Sequence, residues 1–161
     1  MLIEFNRFYD EAEREYSDCR EYRIFLTKLA GLESGYNSNI QNKAGAPAFG
    51  YFQLMEDGNK YKNITTFAEC SIQQFRANPV IQVIAATKLA KAFEKCFDSK
   101  DRETAEALGI TRWGLLGGAW LAGVGGVRKY LYNGINVNDK RWSKDSKGVD
   151  VVSRIKLFNN I

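Results

Sequence analysis

Apolar residues recur three and four positions apart through most of the chain, which is the period of a helix and not of a strand. Residues 3–16 place Ile3, Phe5, Phe8, Tyr9, Ala12 and Tyr16 largely at that spacing with acids between them, predicting an amphipathic first helix. A second is expected from Ser17 or Asp18, because Asp18 and Glu21 have the spacing of a capping box. Its apolar face is Tyr22, Phe25, Leu26, Leu29, Ala30 and Leu32, and Gly35 is its left-handed stop. The period then fails from Tyr36 to Phe49, where Asn, Gln, Gly and Pro predict a loop or a short hairpin. Gly50-Tyr51-Phe52-Gln53-Leu54 is a compact aromatic run too short to assign, and Glu56-Asp57-Gly58-Asn59 is a turn signal.

Helical spacing returns over residues 66–77, with Thr66 as the expected cap. Asn78-Pro79 opens the next helix, Asn as cap and Pro at the first helical position, and Val80, Val83, Ile84, Leu89, Ala90 and Phe93 carry it to about Phe97. Asp101 to Leu108 predicts a short helix ended by Gly109. Thr111 caps TRWGLLGGAWLAG, a segment apolar nearly all round and so expected to be a buried central helix. Its glycines permit close approach of other helices. Val124 to Tyr132 is a further helix stopped at Gly134, residues 135–147 a basic polar loop, and Gly148 to Phe158 a closing helix on Val149, Val152, Ile155 and Phe158. The expectation is a mainly α fold of six to eight helices around the central one, with a loop or hairpin after the second, in a single domain spanning 1–161.

Composition narrows the chemistry. The chain has no histidine, which removes Ser-His and Cys-His catalysis and most zinc sites. Its three cysteines, Cys19, Cys70 and Cys96, have no C-x-x-C spacing, so neither a disulfide framework nor a metal cluster is expected. No cofactor or metal is called for, and acid–base work falls to Asp, Glu, Lys, Tyr or Cys. The net charge of +4 is uneven: residues 1–21 balance to −4 and residues 128–156 to +5. A basic flank suits an anionic polymer such as nucleic acid or bacterial wall, although a solvated face is the commoner explanation. No nucleic-acid motif accompanies Tyr130, Tyr132 and Trp142, so a nucleic-acid partner is not expected. No window approaches the ~20 apolar residues of a membrane span. The N-terminus lacks the basic-then-apolar signature of a secretion signal, which predicts a chain made in the cytoplasm or trimmed from something larger.

Glu33 stands out. An acid on the last turn of a helix opposes the helix dipole, and such local conflicts concentrate at functional sites. Cleavage of a glycosidic bond needs an acid to protonate the leaving oxygen. A carboxyl keeps its proton near neutral pH when apolar surroundings disfavour the charged form. Leu29, Leu32 and Phe52 are the candidate wall. Taken alone, a Glu at a helix end is most often structural or solvated.

The company it keeps changes that weighting. Glu33-Ser34-Gly35-Tyr36-Asn37, Ala44-Gly45-Ala46, Gly50-Tyr51-Phe52-Gln53-Leu54-Met55 and Ala119-Trp120-Leu121-Ala122-Gly123-Val124-Gly125-Gly126-Val127 follow one another in this order. The set resembles the lysozyme-like lytic transglycosylases, the soluble-lytic-transglycosylase group related to goose-type lysozyme. Those proteins carry Glu-Ser-Gly at a helix end, then a Gly-x-x-Gln turn, and later an Ala-Tyr-Asn-Ala-Gly segment. The resemblance covers roughly residues 20–158. It implies an α+β lysozyme-like fold and peptidoglycan glycan strands as substrate. It implies Glu33 as catalytic acid/base, Ser34 as the serine that steadies it or the sugar, and Gln53 as a groove-lining amide, with Tyr51 and Trp120 in or near the groove. Bracing of a loop by Gln53 and a core role for Trp120 are the structural alternatives. Trp120 stands where the family usually has Tyr, and Leu121 where it usually has Asn.

No Asp or Glu lies between Ser34 and Met55, where lysozyme-like hydrolases place a second carboxylate. With one carboxyl, the resemblance implies cleavage of the MurNAc-GlcNAc β-1,4 bond and formation of 1,6-anhydro-MurNAc ends. A goose-type-like hydrolase would recruit Glu56 or Asp57. A catalytically silent glycan-binding module of a phage or envelope machine is the non-enzymatic alternative. The resemblance implies action at the bacterial cell wall, in phage tails, phage lysis or envelope-spanning secretion and conjugation systems.

Overall fold

A computed structural model describes residues 1–42, 45–137 and 150–161. Among these the chain is mainly helical. The α-helices are α1 Leu2–Glu15, α2 Arg23–Ser34, α3 Asn63–Ala68, α4 Ile72–Ala77, α5 Pro79–Cys96, α6 Ser99–Ala107, α7 Arg112–Asn133 and α8 Val151–Phe158. One antiparallel pair, β1 Ala48–Phe49 and β2 Leu54–Met55, makes the short hairpin expected after the second helix. No helix among the described residues is long and apolar enough to cross a membrane. The chain divides into two compact units, Met1–Leu89 and Ala90–Ile161.

In the first unit, α1 buries Phe5, Tyr9 and Ala12, and α2 buries Phe25, Leu26, Leu29 and Ala30. Phe5 is the hub of an aromatic cluster, with ring centroids 5.7 Å from Tyr9, 5.3 Å from Tyr36, 5.0 Å from Tyr51 and 6.2 Å from Phe52. Tilted and edge-on pairs of this kind contribute beyond the area they bury. The start of α2 is tied to α1 by Arg23, which reaches Asp10 at 2.7 Å and Glu13 at 3.2 Å.

The second helix begins later than the sequence predicts. Ser17–Arg20 form a 3₁₀ turn, and α2 starts at Arg23 with Tyr22 as its cap residue and no side-chain cap bond. Asp18 lies inside the tight turn and not at the head of α2, so it is not the cap of that helix. Leu32, expected on the apolar face, is 46% exposed. The stretch 66–77 is two short helices. Glu69 turns left-handed at φ 55°, and Ser71 with Gln74 makes the capping box that starts α4. At α5 the local chemistry acts as expected: Asn78 accepts the Ile81 N–H at 3.1 Å, with Pro79 in the first helical position.

In the second unit α6 starts at Ser99, two residues before the expected Asp101, because Asp98 and Asp101 form a reciprocal capping box. Thr111 caps α7 as expected, and α7 is interrupted at Gly123 (φ 71°, ψ 172°), where the sequence divides two helices. Residues 114–119 of α7 are buried. The α8 helix starts at Val151, capped by Asp150, and buries Val151, Ile155 and Phe158 in place of the expected face through Val152. Gly148, Val149, Trp142 and most of the basic loop lie outside the described residues, as does Ala44.

The glycines of α7 do admit a close neighbour. A Cβ at Gly117 would run into the Phe158 ring and come 3.1 Å from the Arg154 carbonyl oxygen, and one at Gly114 would come 2.6 Å from Asn159 Oδ1. A Cβ at Gly125 would meet nothing within 4 Å. Gly117→Ala should therefore destabilise the protein by about 1–3 kcal/mol through overpacking, while Gly125→Ala should be neutral or stabilising by up to ~1 kcal/mol; urea unfolding of the two variants measures both.

Asp101 ties the start of α6 to α7. Its carboxylate, 1% exposed, accepts from Arg128 Nη2 at 2.8 Å, the Tyr132 hydroxyl at 2.7 Å and the Asp98 N–H at 2.9 Å. The Arg128 guanidinium, then the Tyr132 hydroxyl and the backbone, hold this carboxyl well below the usual carboxylate range against its burial. A depressed carboxyl stabilises the fold above its unfolded pKa of about 4 and loses that contribution as pH falls toward its folded value. Wild-type stability should therefore fall as pH drops below about 4. Asp101→Asn should lower stability at pH 7 by about 2 kcal/mol and flatten that acid limb, as read by thermal melts across pH.

Candidate functional site

Glu33 owes its position to the geometry of α2. It lies seven residues after Leu26 and four after Leu29, so at 3.6 residues per turn it continues the buried stripe to the helix end. It is half-buried there. Of the expected apolar wall, Leu29 and Phe52 are buried and Leu32 is not: it falls on the edge of the helix that faces water.

The helix ends because Gly35 turns left-handed, at φ 59°. Tyr36 follows in the same region, at φ 63°, and its N–H reaches back to the Ala30 carbonyl at 3.3 Å. A residue with a Cβ pays for that conformation, so something must hold it. The Tyr36 ring packs on Phe5 and lies over the last turn of α2, where a Cβ at Gly31 would come 2.9 Å from the phenol oxygen. Ser34 is committed to the same exit: its hydroxyl donates to the Ala30 carbonyl at 3.0 Å and accepts the Asn37 N–H at 3.3 Å.

Gln53 sits on the turn between β1 and β2, also left-handed at φ 52°. Its amide Nε2 donates to the Gly50 carbonyl at 3.0 Å, with a longer contact to the Ile40 carbonyl at 3.5 Å. The Gly50 N–H bonds the Ile40 carbonyl at 2.9 Å, and Gln41 bridges to Phe49. The segment leaving Glu33 and the Gln53 turn are thus stitched together at Ile40–Gln41. Gln53 braces this junction through its Nε2.

Tyr51 is placed in the core and not in a groove wall. It is 2% exposed, edge-on to Phe5, with its hydroxyl paired to Ser38 and burial pushing the phenol up. Trp120 belongs to the second unit, half-buried and edge-on to Phe93 at 5.9 Å, with Leu121 half-buried beside it in sequence. The second unit also holds a cavity of about 330 Å³ with an apolar floor of Phe97, Ile110, Leu115 and Leu116 and the Glu94–Arg112 ion pair among its lining. None of the sequence-predicted site residues lines it.

The two acids nearest the turn have other work. The Glu56 carboxylate accepts the Thr65 N–H and hydroxyl, each at 2.9 Å. Asp57 Oδ1 accepts the N–H groups of Asn59, Lys60 and Tyr61 at 2.8–2.9 Å, and these bonds hold its carboxyl below the usual range. Among the described residues no group of three or more Asp, Glu or Cys is placed to hold a metal ion. Comparison with protein-family models, with curated proteins and with solved structures found no match to this chain.

The residue that sequence reasoning missed is Gln82. It is fully buried on α5. Its Oε1 accepts the Tyr51 N–H at 2.8 Å, and its Nε2 donates to the carbonyls of Phe75 at 2.8 Å and Ser38 at 2.9 Å. One N–H and two carbonyls fix which way the amide faces. The only sequence signal was a polar side chain inside the apolar run after Pro79. Gly50 leaves the room that this contact needs. At φ 79° it is left-handed, and a Cβ there would press on the Gln82 amide, with its Cδ 2.8 Å away. Gly58 has the same backbone, φ 80°, with open space around it. Gly50→Ala should cost more stability than Gly58→Ala by at least ~1 kcal/mol, measured by paired denaturant titrations.

Proposed function

We propose that this protein is a peptidoglycan lytic transglycosylase with Glu33 as its single acid/base. The carrying observation is the place of that carboxyl on the last turn of α2, with no other acid between Ser34 and Met55. Glu33 continues a buried helix stripe and is half-buried, and the chain that follows it is bonded to the Gln53 turn at Ile40. The acids that could activate a water from this region, Glu56 and Asp57, are spent on α3 and on their own turn. The ordered Glu-Ser-Gly, Gly-x-x-Gln and Ala-aromatic-x-Ala-Gly likeness supports the same reading.

With one carboxyl, Glu33 gives its proton to the glycosidic oxygen between MurNAc and GlcNAc. The substrate's own acetamido group stabilises the oxocarbenium-like centre. Glu33 then takes the proton of the muramyl 6-hydroxyl as that oxygen closes the 1,6-anhydro ring, so no water is consumed. The Ser34 hydroxyl acts by holding the helix exit in shape. Gln53 offers its amide oxygen to the sugar while its nitrogen braces the turn. Trp120 is assigned to the glycan by the resemblance alone. The protein acts at the bacterial cell wall, in a phage or envelope-spanning setting.

Glu33→Gln keeps the shape and removes the proton. It should abolish clearing of purified sacculi, a loss of at least ~100-fold, with an unchanged melting temperature. Clearing by this variant overturns the assignment of Glu33. Sedimentation of wild type with sacculi that it never clears identifies a silent glycan-binding module.

A further inference from the structure

We propose that Gln82 is a positioning residue for the Glu33 site, setting the separation between the segment that leaves Glu33 and the turn that carries Gln53. This rests on the reading of Glu33 and Gln53 just given. Four segments meet at one buried amide. Nε2 takes the carbonyl of Ser38, four residues beyond Ser34, and the carbonyl of Phe75 at the end of α4. Oε1 takes the N–H of Tyr51, two residues before Gln53. The amide itself stands on α5.

Each of the two held segments contains a residue in a conformation it would not adopt freely, Tyr36 at φ 63° and Gln53 at φ 52°. A strained backbone persists only where its surroundings over-determine it. On the outer side Arg76 adds a second tie, donating from Nη2 to the Asn39 carbonyl at 2.6 Å with its guanidinium over the Phe49 ring. Arg76 reaches both segments from the outer side, and Gln82 grips both by hydrogen bonds from a fully buried position. It touches neither the acid nor the bond to be cut. It acts by holding Gln53 at a fixed distance from the Glu33 helix end, so its loss lowers turnover more than affinity.

The test uses Gln82→Met, which fills the space and removes all three bonds, and Gln82→Asn, which keeps an amide one methylene shorter and can reach only one of the two segments. Turnover and half-saturation are measured on soluble peptidoglycan oligomers, and amide hydrogen exchange is followed residue by residue. The expected result for Met is a kcat reduced about 10- to 100-fold with KM changed less than about threefold. Protection should be lost together at the Tyr51 amide and across residues 37–42 and 50–55, while the α1–α2 core amides keep theirs. Asn should fall between Met and wild type in both readouts, and it carries the test if the Met variant does not fold. Unchanged kcat in either folded variant, a change confined to KM, or intact Tyr51 protection overturns the proposal. If wild type cuts no glycan, the proposed function has failed while the exchange arm still reports whether Gln82 couples the two segments; independent loss of protection in them overturns that coupling.

Discussion

The junction between the chain leaving Glu33 and the Gln53 turn is held by one buried amide that is fully satisfied. Gln82 has no contact with water, so each of its polar atoms must find a protein partner or impose a desolvation cost of about 1–3 kcal/mol. It finds three, and all are backbone groups from segments far apart in sequence. A net gain of only about 1 kcal/mol per bond is compatible with a large structural consequence, because the alternative is several buried groups left unpaired. The left-handed glycine at residue 50, the buried Tyr51 and the core-facing Phe52 follow from bringing a turn close enough to be held.

That constraint shapes the place where Glu33 emerges. The carboxyl belongs to the same stripe as Leu26 and Leu29, so the helix brings it to the core's edge. The exit through Gly35 and Tyr36 turns the chain sharply enough for Ile40 and Gln41 to bond the hairpin. The aromatic cluster around Phe5 supports that exit from below, and Tyr51 supports the hairpin from the same cluster. The chemistry proposed for Glu33 needs rigidity of this kind more than it needs additional charge. A donor that must also serve as acceptor has to stay within reach of two different oxygens in succession.

Features written in local chemistry were legible in the sequence. Gly35, the Asn78-Pro79 opening of α5, the Thr111 cap and the interruption at Gly123 each depend on one or two residues, and each is where the pattern places it. The glycines of α7 were legible for a similar reason, since small residues on an otherwise apolar helix have few other uses. Features that depend on distant partners were not. Asp18 and Glu21 have capping spacing, yet the chain takes a 3₁₀ turn there before α2 begins. Leu32 looks apolar enough for the core and lies just outside its arc. Tyr51 reads as a groove aromatic until Phe5, 46 residues earlier, is seen to claim it. Gln82 carries no local sign of its role because its partners lie 7, 31 and 44 residues away.

The central claim is that one carboxyl both donates and recovers the proton, with no water entering the bond. Digestion of purified sacculi in ¹⁸O-labelled water, followed by mass spectrometry of the released fragments, tests it most directly. The account predicts anhydro-ended muropeptides carrying no label. Reducing-end muropeptides with one ¹⁸O at the new anomeric position would contradict it.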